Sequence, residues 1–244
     1  MMHQFKNDKI LISIVNDLYF EGLVFREKFR HIYIYNISIL GIENLRKRSV
    51  NCIEYLDCFI IVLPVKYALQ PVMWNDFYTY FGENYEKLID VHLNIRCIDT
   101  LYAYLCEKVD VSNSTVILDY GCGTGLSIAK SDNCILLGYE PNGKMRGQAV
   151  RRGMRVLDYQ QLYLLPDFSI DAMFSSFVFH MGITGNDIQL LRRIIRREGV
   201  IVANFYKNIN CSLVNDLFAQ YGFCVNEVDG FDERLGNVYE YKRK

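Results

Sequence analysis

Val116-Ile-Leu-Asp-Tyr-Gly-Cys-Gly-Thr-Gly125 is the stretch on which the fold turns. A β-branched, apolar run over Thr115 to Asp119 ends on an acid and then on glycines at 121, 123 and 125. Glycines let the backbone bend tightly after a buried strand and approach a ligand without Cβ clashes. Leu126-Ser-Ile-Ala-Lys130 follows as the start of a helix, so free amides face the same crevice. Strand, glycine loop and helix in that order predict a layered α/β protein with its ligand at the strand ends.

Downstream the alternation continues. Cys134 to Glu140, Met154 to Leu157, Ile170 to Ser176 and Gly199 to Phe205 read as four further strands. Asp187 to Arg197 is an amphipathic helix with Leu190, Leu191, Ile194 and Ile195 on its buried side and Arg192, Arg193, Arg196 and Arg197 opposite. A helix over Ser212 to Tyr221 precedes an antiparallel pair, Phe223 to Val228 and Asn237 to Tyr241. Upstream, Trp74 to Val109 is aromatic and mostly helical, interrupted at Gly82.

Pro64, Pro71 and Trp74-Asn-Asp76 mark a boundary with a small N-terminal α/β unit, residues 1–70, leaving 75–244 as the main domain. The unit reads as β-α-β-α-β, with strands at Lys9 to Val15, His31 to Tyr35 and Cys58 to Pro64 and helices at Asp17 to Phe29 and Ile42 to Arg48. The turn after its first strand has no glycine-rich loop, so a nucleotide has no seat there.

Composition narrows the function classes. The 27 basic and 28 acidic side chains leave a formal net charge of -1, so no global field favours polyanions and a nucleic acid partner is not expected. Eight cysteines form no Cys-x-x-Cys pair and no cluster with the four histidines, so no metal site is expected. No signal peptide opens the chain and no apolar run approaches the ~20 residues that span a bilayer. A reduced, cytoplasmic protein without a membrane partner is the expectation.

The glycine loop has acidic company. Glu140 ends the next strand and suits paired hydrogen bonds to two ribose hydroxyls. Asp158, after the third strand, is placed to accept from an adenine amino group, and Met145 and Tyr159 to line the faces of the base. Dinucleotide folds use Gly-x-Gly-x-x-Gly, whereas here Gly-x-Gly-x-Gly directly follows Asp119. That acid is awkward beside a pyrophosphate but suits the ammonium of a methionine moiety, which leaves a dinucleotide as the weaker alternative.

Ile117 to Gly125 resembles motif I of class I S-adenosylmethionine-dependent methyltransferases. Gly138-Tyr-Glu-Pro-Asn-Gly-Lys-Met145 is similar to their second motif, Leu165 to Met173 to the stretch leading into strand four, Arg196 to Val202 to the turn into strand five, and Tyr221 to Val225 to the turn into the final hairpin. The resemblance spans roughly residues 75 to 244. It implies a Rossmann-like seven-stranded sheet with an antiparallel last strand, and S-adenosyl-L-methionine as cosubstrate. It also implies cofactor contacts at Asp119, Gly121, Cys122, Gly123, Thr124, Gly125, Glu140, Pro141, Met145, Asp158, Tyr159 and Ser175. One departure is Leu157, before Asp158, where many members have glycine.

Phe174 to Met181 resembles the strand-four exit of small-molecule methyltransferases, in which His180 is the candidate general base; packing or capping is its other reading. Residues 75–109 resemble the family's lid, with Tyr80 and Tyr85 facing substrate. The Asn/Asp-Pro-Pro-Tyr/Phe motif of amino-methylating DNA enzymes is absent. The implied activity is methyl transfer to an O, N or C nucleophile of a small molecule. RNA or protein modification, or a non-catalytic cofactor-binding module, are the alternatives. The N-terminal unit is expected to set specificity or to form a homodimer contact.

Overall fold

A computed structural model describes residues 9–14, 18–48, 52–55, 59–62 and 71–244. The chain divides into two units, residues 1–89 and 90–244.

The second unit holds the glycine loop. Its parallel strands are β6 (Val116–Tyr120), β7 (Ile135–Tyr139), β8 (Val156–Leu157), β9 (Ile170–Ser175) and β10 (Ile195–Asn204). Two more, β11 (Phe223–Val228) and β12 (Val238–Arg243), complete a seven-stranded sheet of order β11-β12-β10-β9-β6-β7-β8. β12 runs antiparallel to both neighbours, as the sequence leads one to expect.

Because strand side chains alternate between faces, the sheet builds two cores. Ile117, Leu136, Ala172, Phe174, Val200 and Val202 share one with Cys97, Ile98, Leu101 and Leu105 of α4 (Val91–Lys108). Leu118, Leu137, Met173, Ile201 and Ala203 share the other with α7 (Gly185–Ile194) and α8 (Cys211–Gln220). α7 starts at a capping box in which Thr184 and Asp187 satisfy each other's backbone amides. Leu126 to Lys130, expected to start a helix, lies in a 3-10 segment, Leu126–Asp132.

The first unit departs from expectation. Its strands are β1 (Lys9–Ser13), β2 (Leu23–Phe29), β3 (Ile32–Ile37), β4 (Cys52–Tyr55) and β5 (Phe59–Val62), in the order β2-β3-β1-β5-β4. Among the described residues of this unit, only β1 and β5 pair in parallel. Leu23 to Phe29, read as part of a helix over residues 17–29, is an edge strand hairpinned to β3. Gly22, at a φ of 86°, ends any helical path, and the β-branched and aromatic residues beyond it pair with β3 instead. Val15, Asp17, Cys58, Leu63 and Pro64, at the ends of expected elements, lie outside the described residues.

α1 (Ile39–Lys47) and α2 (Pro71–Phe81) belong to this unit. Phe77 of α2 packs edge-on against Phe59 of β5 at 5.1 Å, and Asp76 accepts from the His31 amide and from its Nδ1 at 3.1 and 2.9 Å. The expected 75–109 lead-in is thus divided between the units: α2 packs on the N-terminal sheet, and α4 on the main sheet.

Candidate functional site

β6 delivers Asp119 to the carboxyl end of the sheet, where it is 2% exposed and takes a 2.5 Å hydrogen bond from the Ser127 hydroxyl. Burial pushes its carboxyl up to about 7, against the pull of Ser127 and with a further push from the Glu140 charge. The chain then turns through Gly121, at a φ of 81°. A Cβ there would stand 2.4 Å from Val178 Cγ2, so this turn and the β9 exit close on each other only because residue 121 is glycine. The amides of Gly121 and Cys122 donate to Tyr139 O at 2.8 and 3.0 Å, which ties the loop to β7.

Glu140 follows β7 and braces the loop from the other side. One carboxylate oxygen accepts from the Gly123 amide at 3.0 Å and the other from the Asn142 amide at 2.8 Å. Each oxygen has two acceptor directions, so both retain capacity for a ligand hydroxyl. Burial raises this carboxyl to about 7, opposed by those two amides and by Arg146. Arg146 also clamps the backbone, donating to Glu140 O at 2.7 Å and to Pro141 O at 3.0 Å. Asn142 caps α5 (Gly143–Arg151) and sets the buried Met145 against Gly123, whose Cβ position would lie 3.7 Å from Met145 Cε.

The other expected contacts fall into two groups. Tyr159 is 45% exposed at the end of β8, free to lie against a flat ligand. Asp158 beside it forms a capping box with Gln161, one oxygen accepting from the Gln161 amide at 2.9 Å. Thr124 is buried and accepts from Arg152 at 3.3 Å. Cys122 is buried too, and burial pushes its thiol well above the ordinary range. Ser175 is fully buried with its hydroxyl committed to Tyr120 O at 2.8 Å, so it joins β9 to β6.

His180 sits in the 3-10 turn Phe179–Met181. Phe179 stacks on Phe218 at 5.5 Å and carries the turn inward, leaving His180 1% exposed. Burial drives the imidazole down to about 3, so it is neutral and weakly basic near pH 7. Tyr80 and Tyr85 belong to the first unit, where Tyr80 donates to Glu27 and Tyr85 packs on Tyr78 at 5.4 Å.

Two asparagines that the sequence reading passed over hold the β9 exit. Phe177 adopts a φ of 54°, a costly conformation for an aromatic residue. Its amide donates to the fully buried Asn204 at 2.7 Å, while Asn204 Nδ2 donates to Leu235 O at 2.6 Å. Asn210 similarly donates to His180 O at 2.7 Å. A lone amide closing the apolar run Val200-Ile-Val-Ala-Asn204 was the signal for the first of these.

The raised carboxyls carry a consequence for stability. Folded, Asp119 and Glu140 keep their protons up to about pH 7; unfolded, they lose them near pH 4. Between those values the folded chain binds more protons, so their contribution to stability is fully present below pH 4 and is lost as pH rises through 7. Urea unfolding of the free protein between pH 8 and 5 is expected to show wild type gaining on Glu140→Gln by up to about 1.4 kcal/mol per pH unit on acidification. A stability gap that does not change with pH would contradict the buried, protonated acid.

No protein-family model matches the chain, and no curated protein does either. Solved structures do. The magnesium protoporphyrin IX methyltransferase of Synechocystis, with S-adenosylmethionine bound, aligns over 74% of this chain and 100% of its own at 16% identity and a TM-score of 0.53. An S-adenosylmethionine-dependent methyltransferase from Thermotoga maritima aligns over 68% and 98% at 18% identity and a TM-score of 0.50. A TehB-like methyltransferase from Corynebacterium glutamicum aligns over 72% and 100% at 14% identity and a TM-score of 0.50. The chain has the fold of the class I S-adenosylmethionine-dependent methyltransferases.

Proposed function

We propose that this protein is an S-adenosylmethionine-dependent methyltransferase acting on a nucleophile of a small molecule. The observation that carries the reading is the pair of buried acids at adjacent strand ends, Asp119 and Glu140, bracing one glycine loop. A buried pair of acids favours a cationic ligand, and the cosubstrate carries a sulfonium and an ammonium. Glu140 would hold the ribose hydroxyls, Asp119 the methionine end, and Met145 and Tyr159 the faces of the base. Asp158 would take the adenine amino group with the oxygen not engaged in the helix cap.

The cosubstrate supplies an activated methyl group for in-line displacement. The chain's task is then to align the nucleophile and exclude water. The β9 exit, pinned by Asn204 and Asn210, supplies a rigid wall for this. The burial of His180 favours a neutral, orienting group over a general base, whose pKa should lie near the working pH. Within the same reading the N-terminal unit selects the acceptor or joins two copies; its edge strand exposes Val24 and Phe25. Among the described residues no helix is long and apolar enough to cross a membrane.

Calorimetric titration tests the reading. S-adenosylmethionine and S-adenosylhomocysteine are expected to bind saturably, neither NAD nor ATP to displace them, and the signal to vanish in Asp119→Ala. Well-folded protein that ignores both sulfur nucleosides, or that binds NAD with an affinity lost in Asp119→Ala, would sink it.

A further inference from the structure

At the end of the main sheet remote from the glycine loop, a cleft of about 520 Å³ opens between the last turn of α7, the turn after α8 and the end of β12. Its walls include Arg192, Gln220, Tyr221 and Arg243. The topology sets the cleft apart from the first site: α7 ends where β10 begins, and β12 runs antiparallel to β10 with Lys242 opposite Val200, so Arg243 falls toward the amino-terminal half of β10. The glycine loop follows the opposite, carboxyl end of β6.

The arginines here differ from those of a solvated helix face. Arg193 is satisfied, reaching Asp167 at 2.8 Å and Leu165 O at 2.6 Å, and Arg196 pairs with Asp171 at 2.6 Å. Arg192, Arg197 and Arg243 make no ion pair among the described residues, and the two neighbouring aspartates are already engaged. Arg243 and Arg197 both lie over the Phe168 ring, 5.1 and 5.9 Å from its centroid. Phe168 is itself held in place by its amide's 3.0 Å bond to Arg193 O, at a φ of 56°. Arg243 Nε is buried without an acceptor. Burial and the charges of Arg192 and Arg197 push the Arg243 guanidinium below its usual range. Three like charges held together on an aromatic platform, one with an unsatisfied buried donor, form an arrangement that an anion would stabilise.

We propose that this cleft binds a small phosphoanion, with Arg192 and Arg243 as its fork-shaped donors and Arg197 adding charge from beside Phe168. Guanidinium forks match phosphoryl oxygens in pairs. The volume admits a pyrophosphate or a nucleoside diphosphate. The site is separate from the methyl-transfer reading and stands or falls without it.

The test is calorimetry on the full chain with inorganic pyrophosphate and with ADP, against sodium chloride of equal ionic strength. Pyrophosphate is expected to bind saturably, and about tenfold or more weakly in Arg243→Gln and in the exposed Arg192→Gln. S-adenosylhomocysteine binding is expected to be unchanged in both variants. Tighter binding of ADP than of pyrophosphate would assign a nucleotide, and the reverse order a free phosphoanion; either supports the site. Heats that sodium chloride reproduces, or a pyrophosphate affinity that neither variant alters, would overturn it. Preferential capture of a single-stranded RNA oligonucleotide, lost in both variants, would overturn the small-ligand assignment.

Discussion

Glu140→Ala is expected to weaken S-adenosylhomocysteine binding by about 100-fold or more. Two ribose hydroxyls on one carboxylate make two charge-assisted hydrogen bonds, each worth about 1.5–3 kcal/mol, and every 1.4 kcal/mol is tenfold in affinity. The variant also frees the Gly123 and Asn142 amides, which Glu140 holds at 3.0 and 2.8 Å, so the loop must be ordered by the ligand itself. Glu140→Gln keeps the volume and one acceptor oxygen, and its expected loss is smaller, about tenfold. The same carboxylate gives binding a pH dependence opposite to that of folding. A cation needs the acids ionised, so affinity should fall as pH drops through 7, where the free fold gains stability. Calorimetric Kd values for wild type and both variants at pH 6 and 8 measure this. An alanine variant within threefold of wild type at pH 8 would remove Glu140 from the ligand contacts.

The main sheet was legible because its signals are local. Apolar runs ending in acid and glycine, the amphipathic helix and the closing hairpin each carry their pattern within a dozen residues. The helix expected to run to Arg197 nevertheless ends at Ile194, where pairing with β9 takes over and Arg196 and Arg197 enter β10. The N-terminal hairpin carries no such signal. Its turn is Arg30-His31, with Arg30 at a φ of 50°, where a tight hairpin would ordinarily show asparagine or glycine. The apolar residues Leu18, Phe20, Val24 and Phe25 then fit a helix as well as a strand. What decides between them is β3, whose pairing is not local.

The site divides the same way. Asp119 and Glu140 follow from their places at strand ends, and Asn142 from its place as the cap of α5 two residues beyond, whereas Ser127 and Asn204 acquire their roles from groups brought in by folding. Burial likewise separates the two readings of His180. Its sequence neighbours do not reveal that Phe179 packs into the aromatic cluster of Phe218 and Tyr241, whose rings stack at 4.1 Å, and takes the histidine inward with it.

Gly236→Ala is expected to cost the most stability of any single methyl group added to the chain. Gly236 has a φ of 73° and a ψ of -174°, a region open essentially to glycine alone. A Cβ there would stand 1.9 Å from Phe205 O. That carbonyl cannot retreat cheaply, since Phe205 is fully buried and its amide is bound to Asn237 O at 3.0 Å. Backbone strain of about 1–3 kcal/mol and overpacking of about 1–3 kcal/mol add to roughly 4 kcal/mol, or a Tm lower by about 10 °C for a chain of this size. Gly230→Ala separates the two causes: its φ is 91°, but nothing lies within 4 Å of the added carbon, so only the strain remains. Urea unfolding should therefore rank Gly236→Ala well below Gly230→Ala. Equal losses would mean that the Phe205 contact is relieved without cost. The loss also bears on the site. Leu235 O, one residue away, receives Asn204 Nδ2, and the other end of that amide holds Phe177 in its strained conformation. A backbone shift at Gly236 therefore reaches the β9 exit through one side chain, and Gly236→Ala should weaken S-adenosylhomocysteine binding beyond its effect on folding, where Gly230→Ala should not.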